Sequence, residues 1–170
     1  MKLGLVFNEK NKIPKNEIEK ICQMLDAEFL MFQDFGSVCG VKFVSSLEQL
    51  IKSSDIILAF GGDGTILETA KSAAIFEKPV LGVNAGYLGF LACVERSEIS
   101  KLKKVLNGEF KVSSRMMLEC KFKGKSFLAL NDVVLSRGAG YRVADYSVFK
   151  ENFGKTFECL ADGIIAATPT

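Results

Sequence analysis

The 170-residue chain contains no histidine, and that one gap removes several chemistries together. Neither a Ser-His nor a Cys-His nucleophilic pair can be assembled, and a zinc centre loses its usual nitrogen ligand. The five cysteines, Cys22, Cys39, Cys93, Cys120 and Cys159, are widely spaced and contain no Cys-x-x-Cys pair. No disulfide framework is read from an odd set of this kind. They read as buried free thiols in a reducing compartment.

Long apolar runs are missing too. None approaches the roughly 20 residues that a membrane-spanning helix needs, and the stretch Leu3-Gly4-Leu5-Val6-Phe7 is too short for a signal peptide. Cytoplasmic residence without a membrane partner is the resulting expectation. Charge of one sign is also scarce. Lysine and arginine number 22 against 20 acids, giving +2, and the lysines are scattered rather than striped, so nucleic acid is not an expected partner. With 48% hydrophobic and 25% charged residues, the chain is long enough for one good core, or for one compact domain and part of another. It has no internal repeats and no low-complexity tracts.

What is present is a strand, a glycine turn and a helix in immediate succession. Ile56-Ile57-Leu58-Ala59-Phe60 is a continuous apolar run of the kind buried on both faces of a parallel sheet. It stops at Gly61-Gly62-Asp63-Gly64-Thr65, after which Ile66, Leu67, Ala70, Ala73 and Ala74 fall at helical spacing. Glycines at Gly61, Gly62 and Gly64 remove side chains that would hold a phosphate away from backbone N–H groups, and they permit φ > 0 where the chain turns. The opening of the next helix adds unpaired N–H groups and a positive dipole end at the same spot. Asp63 is the odd member, because a carboxylate is the wrong group for merely holding phosphate. It suits ordering a metal or accepting a proton from an attacking hydroxyl. The alternative is an Asx-type turn residue or a helix cap.

The rest of the first half fits the same architecture. Leu3–Phe7 reads as a buried strand; Pro14 precedes a helix whose Ile18, Ile21, Cys22 and Leu25 share one face. Short strands at 29–32 and 41–44, a brief helix at 47–51 and a strand at 79–83 complete a β-α-β-(β)-α-β-α-β order. That order predicts an α/β fold with a doubly wound parallel sheet over residues 1–95. From Ser97 a last helical signal, carried by Ile99, Leu102, Val105 and Leu106, gives way to alternation. Strands are predicted at 118–122, 127–135, 143–150, 155–160 and 163–167, with Lys123-Gly124-Lys125 reversing the chain. Residues 96–170 thus read as an antiparallel sheet left without the strands needed to cover it. The last strand runs into Thr168-Pro169-Thr170, and the chain looks like the front part of a longer protein.

Three segments carry the chemistry. The first is Gly61–Thr65, and the second is Asn84-Ala85-Gly86-Tyr87-Leu88-Gly89-Phe90, at the carboxyl end of the neighbouring strand and so beside the first loop. The third is Asn131-Asp132, set between strand residues. Taken singly, Asn131-Asp132 also reads as a turn, and Tyr87 and Phe90 also read as core or interface packing. In this order and spacing the segments, with Asp162-Gly163-Ile164-Ile165-Ala166-Ala167-Thr168-Pro169-Thr170, resemble the NAD kinase family, whose further Gly-Ser-Thr-Ala-Tyr segment lies beyond this chain.

The resemblance covers the whole chain and implies that the α/β domain is followed by an antiparallel β-sandwich domain, incomplete over residues 96–170. It implies phosphoryl transfer from ATP to the adenosine-ribose 2′-hydroxyl of NAD, giving NADP, with a divalent cation such as Mg2+. It implies that Asp63 is the general base and that Gly61, Gly62, Gly64 and Thr65 shape the phosphate-facing loop. Asn84 and Phe90 belong to the cofactor-binding set, and Asn131 and Asp132 would hydrogen-bond the dinucleotide. Asp162 would reach a nicotinamide-side group from a neighbouring subunit in a homo-oligomer, and Arg142 falls where relatives often carry a basic or histidine ligand. No metal-ligating residue is assigned. Tyr87 stands where many relatives carry histidine, and Leu160 where many carry lysine or arginine, so a charged contact there is lost or replaced. Two other classes stay open. Lipid kinases share Gly-Gly-Asp-Gly-Thr but usually continue differently from Ile66-Leu67-Glu68-Thr69, and phosphofructokinases lack the Asn131-Asp132 element. A catalytically incompetent nucleotide-binding or self-associating fragment is the third reading.

Overall fold

Ile56–Gly61 is buried along its whole length, as a strand covered on both faces must be. It is the fourth of twelve strands in the computed structural model, which describes residues 1–8, 13–32, 38–85, 89–138 and 143–170. The backbone packs as two units, Met1–Ser114 and Arg115–Thr170.

The first unit runs β1 (Lys2–Phe7), α1 (Lys15–Met24), β2 (Glu28–Met31), β3 (Val41–Phe43), α2 (Leu47–Ser53), β4 (Ile56–Gly61), α3 (Asp63–Ala74), β5 (Val80–Asn84) and β6 (Val94–Glu95). A 3₁₀ turn, Arg96–Lys101, then leads into α4 (Leu102–Leu106). The six strands form one sheet in the order β3-β2-β1-β4-β5-β6, and every pairing is parallel. Alternation along the strands divides the core into two layers. Leu3, Leu5 and Phe7 of β1 and Ile56, Leu58 and Phe60 of β4 pack with Ile18 and Ile21 of α1 and with Ile99, Leu102 and Val105. Val6 and Ile57 pack on the other layer with Leu50 and Ile51 of α2 and Ala73 of α3. Each such side chain contributes about 1.5–3 kcal/mol by leaving water, which far exceeds the helix propensity of these short segments.

The chain leaves β1 through α1 on one face and leaves β4 through α3 on the other. The sheet is therefore doubly wound, with its direction of winding reversing between β1 and β4. In such sheets the crevice outside the carboxyl ends of those two strands is where ligands sit. Phe7 and Phe60, register partners across that line, stack with ring centroids 4.9 Å apart and floor the crevice.

The 96–106 segment corrects the domain division near residue 96. Its helical period was legible, but Ile99, Leu102 and Val105 bury themselves in the core of the first unit, so the division falls between Ser114 and Arg115. The two-residue strand β6 was too short to leave a period.

The second unit consists of antiparallel pairs: β7 (Leu118–Phe122) with β8 (Lys125–Ala129), β9 (Asp132–Ser136) with β12 (Gly163–Ala167), and β10 (Ala144–Lys150) with β11 (Gly154–Ala161). Lys123 (φ 48°) and Gly124 (φ 74°) make the reversal between β7 and β8, the two positive φ values that a tight hairpin turn requires. The single strand predicted over 127–135 is two strands, because the chain changes partner at Leu130-Asn131, from β7 to β12. The cysteines are free, but they are not buried: Cys39 and Cys93 are exposed and Cys22, Cys120 and Cys159 half-buried. Among the described residues no helix is long and apolar enough to cross a membrane.

Candidate active site

The carboxyl end of β4 delivers Gly61 and Gly62 to the reversal point of the sheet, and α3 opens at once with Asp63 in its first turn. An acid there is stabilised by the positive end of the helix dipole. Its two oxygens are nevertheless aimed elsewhere. Oδ2 accepts the backbone N–H of Phe90 and Oδ1 that of Leu91, each at 3.0 Å. Asp63 therefore joins the glycine loop to the segment that follows β5. A carboxylate has about four acceptor positions, so two hydrogen bonds fix its plane and leave capacity for a further donor.

The glycines of the loop do different things. A Cβ on Gly61 would lie 2.7 Å from Cβ of Thr65, so Gly61 is required by packing against the first turn of α3. At Gly62 and Gly64 a Cβ would meet nothing within 4 Å. Nor does either need the left-handed region: Gly62 has φ −89°, and neither Gly61 nor Gly64 is among the positive-φ glycines. The expectation of φ > 0 in this loop is thereby corrected. Neither sterics inside the protein nor backbone conformation accounts for Gly62 and Gly64.

Asn84 ends β5 beside Gly61, its register partner. It is 4% exposed, and its Nδ2 donates to both carboxylate oxygens of Glu95 in β6, at 3.2 and 3.0 Å. Arg96, next in sequence, is ion-paired with Glu17 of α1, a hydrogen bond that raises the guanidinium pKa further. Glu17, Asn84, Ala85, Glu95, Arg96 and Ser97 line a cleft of about 580 Å³ at this edge of the sheet. The ring of Phe90 is 97% exposed, which rules out the core-packing reading of that aromatic. Gly86, Tyr87, Leu88 and Arg142 lie outside the described residues.

In the second unit, Asn131 and Asp132 are exposed at the start of β9, where Nδ2 of Asn131 donates to Oδ2 of Asp132 at 2.9 Å. The buried Thr168 anchors this corner, its N–H donating to the Asn131 carbonyl at 2.8 Å and its hydroxyl to that of Leu130 at 2.7 Å. Asp162 precedes β12, and its carboxylate faces Nε of Arg137 at 3.2 Å. Asp132 pairs with Ala167 and Gly163 with Ser136, so Asp132 and Asp162 mark opposite ends of one ribbon. Five residues at about 3.4 Å each separate them. Leu160 is exposed.

Glu95, Glu17 and Arg137 lie outside the three motif segments, and Gly89 lies inside the second without a role that the sequence alone assigns. Gly89 carried a signal, as a glycine inside a motif loop; a Cβ there would stand 2.6 Å from Oδ1 of Asp63. The Glu95 and Arg137 contacts depend on sheet register and left no local trace.

A parallel sheet reversing at a glycine loop defines the doubly wound α/β class, in which ligands are held by loops at the carboxyl edge. Within it, the chain belongs to the ATP-NAD kinase family, since the sequence model described as ATP-NAD kinase N-terminal domain matches residues 3–110. An NAD kinase from Clostridium botulinum (strain Loch Maree / Type A3) is 36% identical over 178 residues, covering 99% of this chain and 60% of that protein. One from Caldanaerobacter subterraneus subsp. tengcongensis is 43% identical over 129 residues, covering 72% and 45%. Among solved structures, yeast NADH kinase complexed with NADH is similar in fold, with TM-score 0.83, 22% identity, and coverage of 99% of this chain and 54% of that one. An NAD kinase from Archaeoglobus fulgidus in complex with ATP gives TM-score 0.67, 24% identity and coverage of 98% and 60%. The chain spans about three-fifths of the length of the Clostridium relative.

Proposed function

We propose that the intact protein transfers the γ-phosphoryl group of ATP to the 2′-hydroxyl of the adenosine ribose of NAD, releasing ADP and NADP. The observation that carries this reading is the Asp63 carboxylate, held at both oxygens by backbone N–H groups inside a loop whose Gly62 and Gly64 face open space. Phosphoryl transfer asks for positioning and charge stabilisation more than for covalent help. Gly62, Gly64, Thr65 and the first turn of α3 receive phosphate oxygens, while Asp63 orients the ribose hydroxyl and takes its proton as the new O–P bond forms and the bond to the ADP oxygen breaks. Phe90, with its ring in solvent, offers a stacking face for a base, and Asn84 holds the neighbouring strand end. Asn131 and Asp132 read the hydroxyls and adenine edge of the dinucleotide, Asp162 reaches a nicotinamide-side group from a neighbouring subunit in a homo-oligomer, and Arg142 supplies a basic ligand. The first unit is then the nucleotide-binding domain and the second supplies NAD contacts.

A divalent cation, Mg2+ by chemistry, belongs to this reading. Among the described residues no group of three or more Cys, Asp or Glu side chains gathers in a metal-binding arrangement. An ion of this kind is usually carried on the substrate's phosphates with only one or two carboxylates beside it, and no residue of this chain is assigned to it. The ion's contribution is neutralisation of charge on the transferring group.

The names of the relatives support NAD as acceptor over a lipid or a sugar phosphate. Incubating the intact protein with ATP, Mg2+ and, in parallel, NAD, NADH or a diacylglycerol decides the matter. Formation of the 2′-phosphorylated dinucleotide is the expected result; phosphorylation of the lipid alone would overturn it.

A further inference from the structure

We propose that Glu95 is a positioning residue for Asp63, acting through Asn84 and through the limb that runs back from Glu95 to Phe90. The proposal rests on Asp63 being the reacting carboxylate. Both oxygens of Glu95 accept from Nδ2 of Asn84 at 3.0 and 3.2 Å. A carboxylate offers no donor, so only the NH₂ end of the buried amide can face it. Glu95 thereby sets the orientation of Asn84 as well as its position. Asn84 and Glu95 are register partners at the carboxyl ends of the parallel strands β5 and β6, so their contact ties together the two strands that flank the Phe90-Leu91 segment.

The limb is anchored elsewhere too. The N–H of Cys93 donates to the Gly82 carbonyl at 2.9 Å, and Arg96 is ion-paired with Glu17 of α1. Residues 93–96 are thus held to β5 and to α1, while at the far end of the limb the N–H groups of Phe90 and Leu91 grip Asp63. Leu91 and Glu95 are four residues apart. A segment that short, fixed at one end to a buried amide, transmits a displacement of that end to the two N–H groups that set the Asp63 plane. Glutamine at 95 keeps one acceptor oxygen but admits the opposite amide orientation, and alanine removes the clamp.

The test uses Glu95→Ala and Glu95→Gln in the intact protein, with steady-state kinetics and amide hydrogen exchange read side by side. Misplacement of a reacting group by about 1 Å costs up to about 10²-fold. Glu95→Ala is expected to lower kcat by about 10- to 100-fold while KM for ATP stays within about threefold, the pattern of an interaction made only in the transition state. Glu95→Gln is expected to fall between. Exchange at the Phe90 and Leu91 amides accelerates in both variants while β4 stays protected. Turnover of Glu95→Ala within about threefold of wild type, unchanged exchange at Phe90 and Leu91, or faster exchange throughout β4 and β5 would each overturn the proposal. If the wild-type protein makes no NADP, the reading of Asp63 fails, and the exchange arm still decides whether Glu95 governs the limb.

Discussion

A Cβ at Gly89 would stand 2.6 Å from Oδ1 of Asp63 and 3.3 Å from its Cγ. The two residues are 26 positions apart, and the absence of a side chain at one sets the position of the carboxylate at the other. Gly89→Ala leaves no room for the observed rotamer. Either Asp63 turns and loses the Leu91 N–H, or the backbone at 89 retreats. Overpacking of this kind costs about 1–3 kcal/mol, a tolerable loss for the fold, whereas a carboxylate displaced by about 1 Å loses up to about 10²-fold in rate. The expected outcome is a variant that melts a few degrees lower yet forms NADP at about a hundredth of the wild-type rate, checked by thermal unfolding and initial-rate assays.

Gly62 and Gly64 predict the reverse division between stability and function. With open space around each and no positive φ, alanine fits both positions. In the first turn of α3, Gly64→Ala also removes part of the roughly 0.8–1 kcal/mol that glycine costs a helix. Thermal stability is expected to hold or rise. On the proposed phosphate-binding role of the loop, the added methyl groups crowd the backbone N–H groups, and affinity for ATP is expected to fall by tenfold or more, about 1.4 kcal/mol. Calorimetric titration of ATP checks it, and full retention of affinity in both variants would remove the loop from phosphate binding.

Where the chain forms continuous apolar runs, the sequence was readable. Leu3–Phe7, Ile56–Phe60 and the run ending at Val83 announced buried parallel strands, and Ile18 and Ile21 the inward face of α1. Lys123-Gly124 announced its hairpin because a two-residue turn demands positive φ, for which glycine is suited. Partner exchange was not readable. Alternation continues through Phe127, Ala129, Val133 and Leu135 even though the strand breaks at Leu130-Asn131, since a period of two says which face is apolar and nothing about which strand lies alongside. The destination of Ile99, Leu102 and Val105 was hidden for the same reason: helical spacing reports an apolar stripe, and the core it covers is a tertiary matter. The site was half legible. The glycine loop and Asp63 are contiguous and stood out. Glu95 on Asn84 and Arg137 on Asp162 are contacts that only register creates.

The thiols offer a prediction from electrostatics. Burial, with the neighbouring Cys39 thiol and the Glu19 carboxylate adding to it, pushes Cys22 up from 9.0 to about 11. A raised thiol pKa means less thiolate at any pH below it, and the thiolate is the nucleophile. Two pH units correspond to about a 100-fold smaller thiolate fraction near pH 8. Cys39 and Cys93 are exposed. Alkylation by iodoacetamide at pH 8, followed by peptide mass analysis, is expected to label Cys39 and Cys93 well before Cys22, with Cys22 labelling rising as pH climbs toward 11. Equal labelling rates at pH 8 would contradict the arrangement of α1 against the Cys39-Gly40 turn.

Replacement of Asp63 by asparagine looks at first like a clean removal of charge. The hydrogen bonds say otherwise. Both oxygens accept backbone N–H groups, and asparagine has one acceptor to offer; its NH₂ group must face either the Phe90 or the Leu91 N–H. A donor orphaned in a buried site costs about 1–3 kcal/mol, less at the exposed Phe90 N–H than at the part-buried Leu91 N–H, and loss of the negative charge at the start of α3 adds about 0.3–1 kcal/mol. Asp63→Asn is therefore expected to lower the melting temperature by several degrees and kcat by about 10²- to 10⁴-fold. Asp63→Ala separates the two effects, because it orphans both N–H groups: its stability should fall below that of Asp63→Asn while its kcat stays at the same floor. Paired thermal-unfolding and kinetic measurements on the two variants read this directly. Should Asp63→Asn keep more than about a tenth of the wild-type rate, proton removal by Asp63 could not supply the 10²-fold or more expected of a general base, and the carboxylate would stand as a pin for the Phe90-Leu91 segment alone.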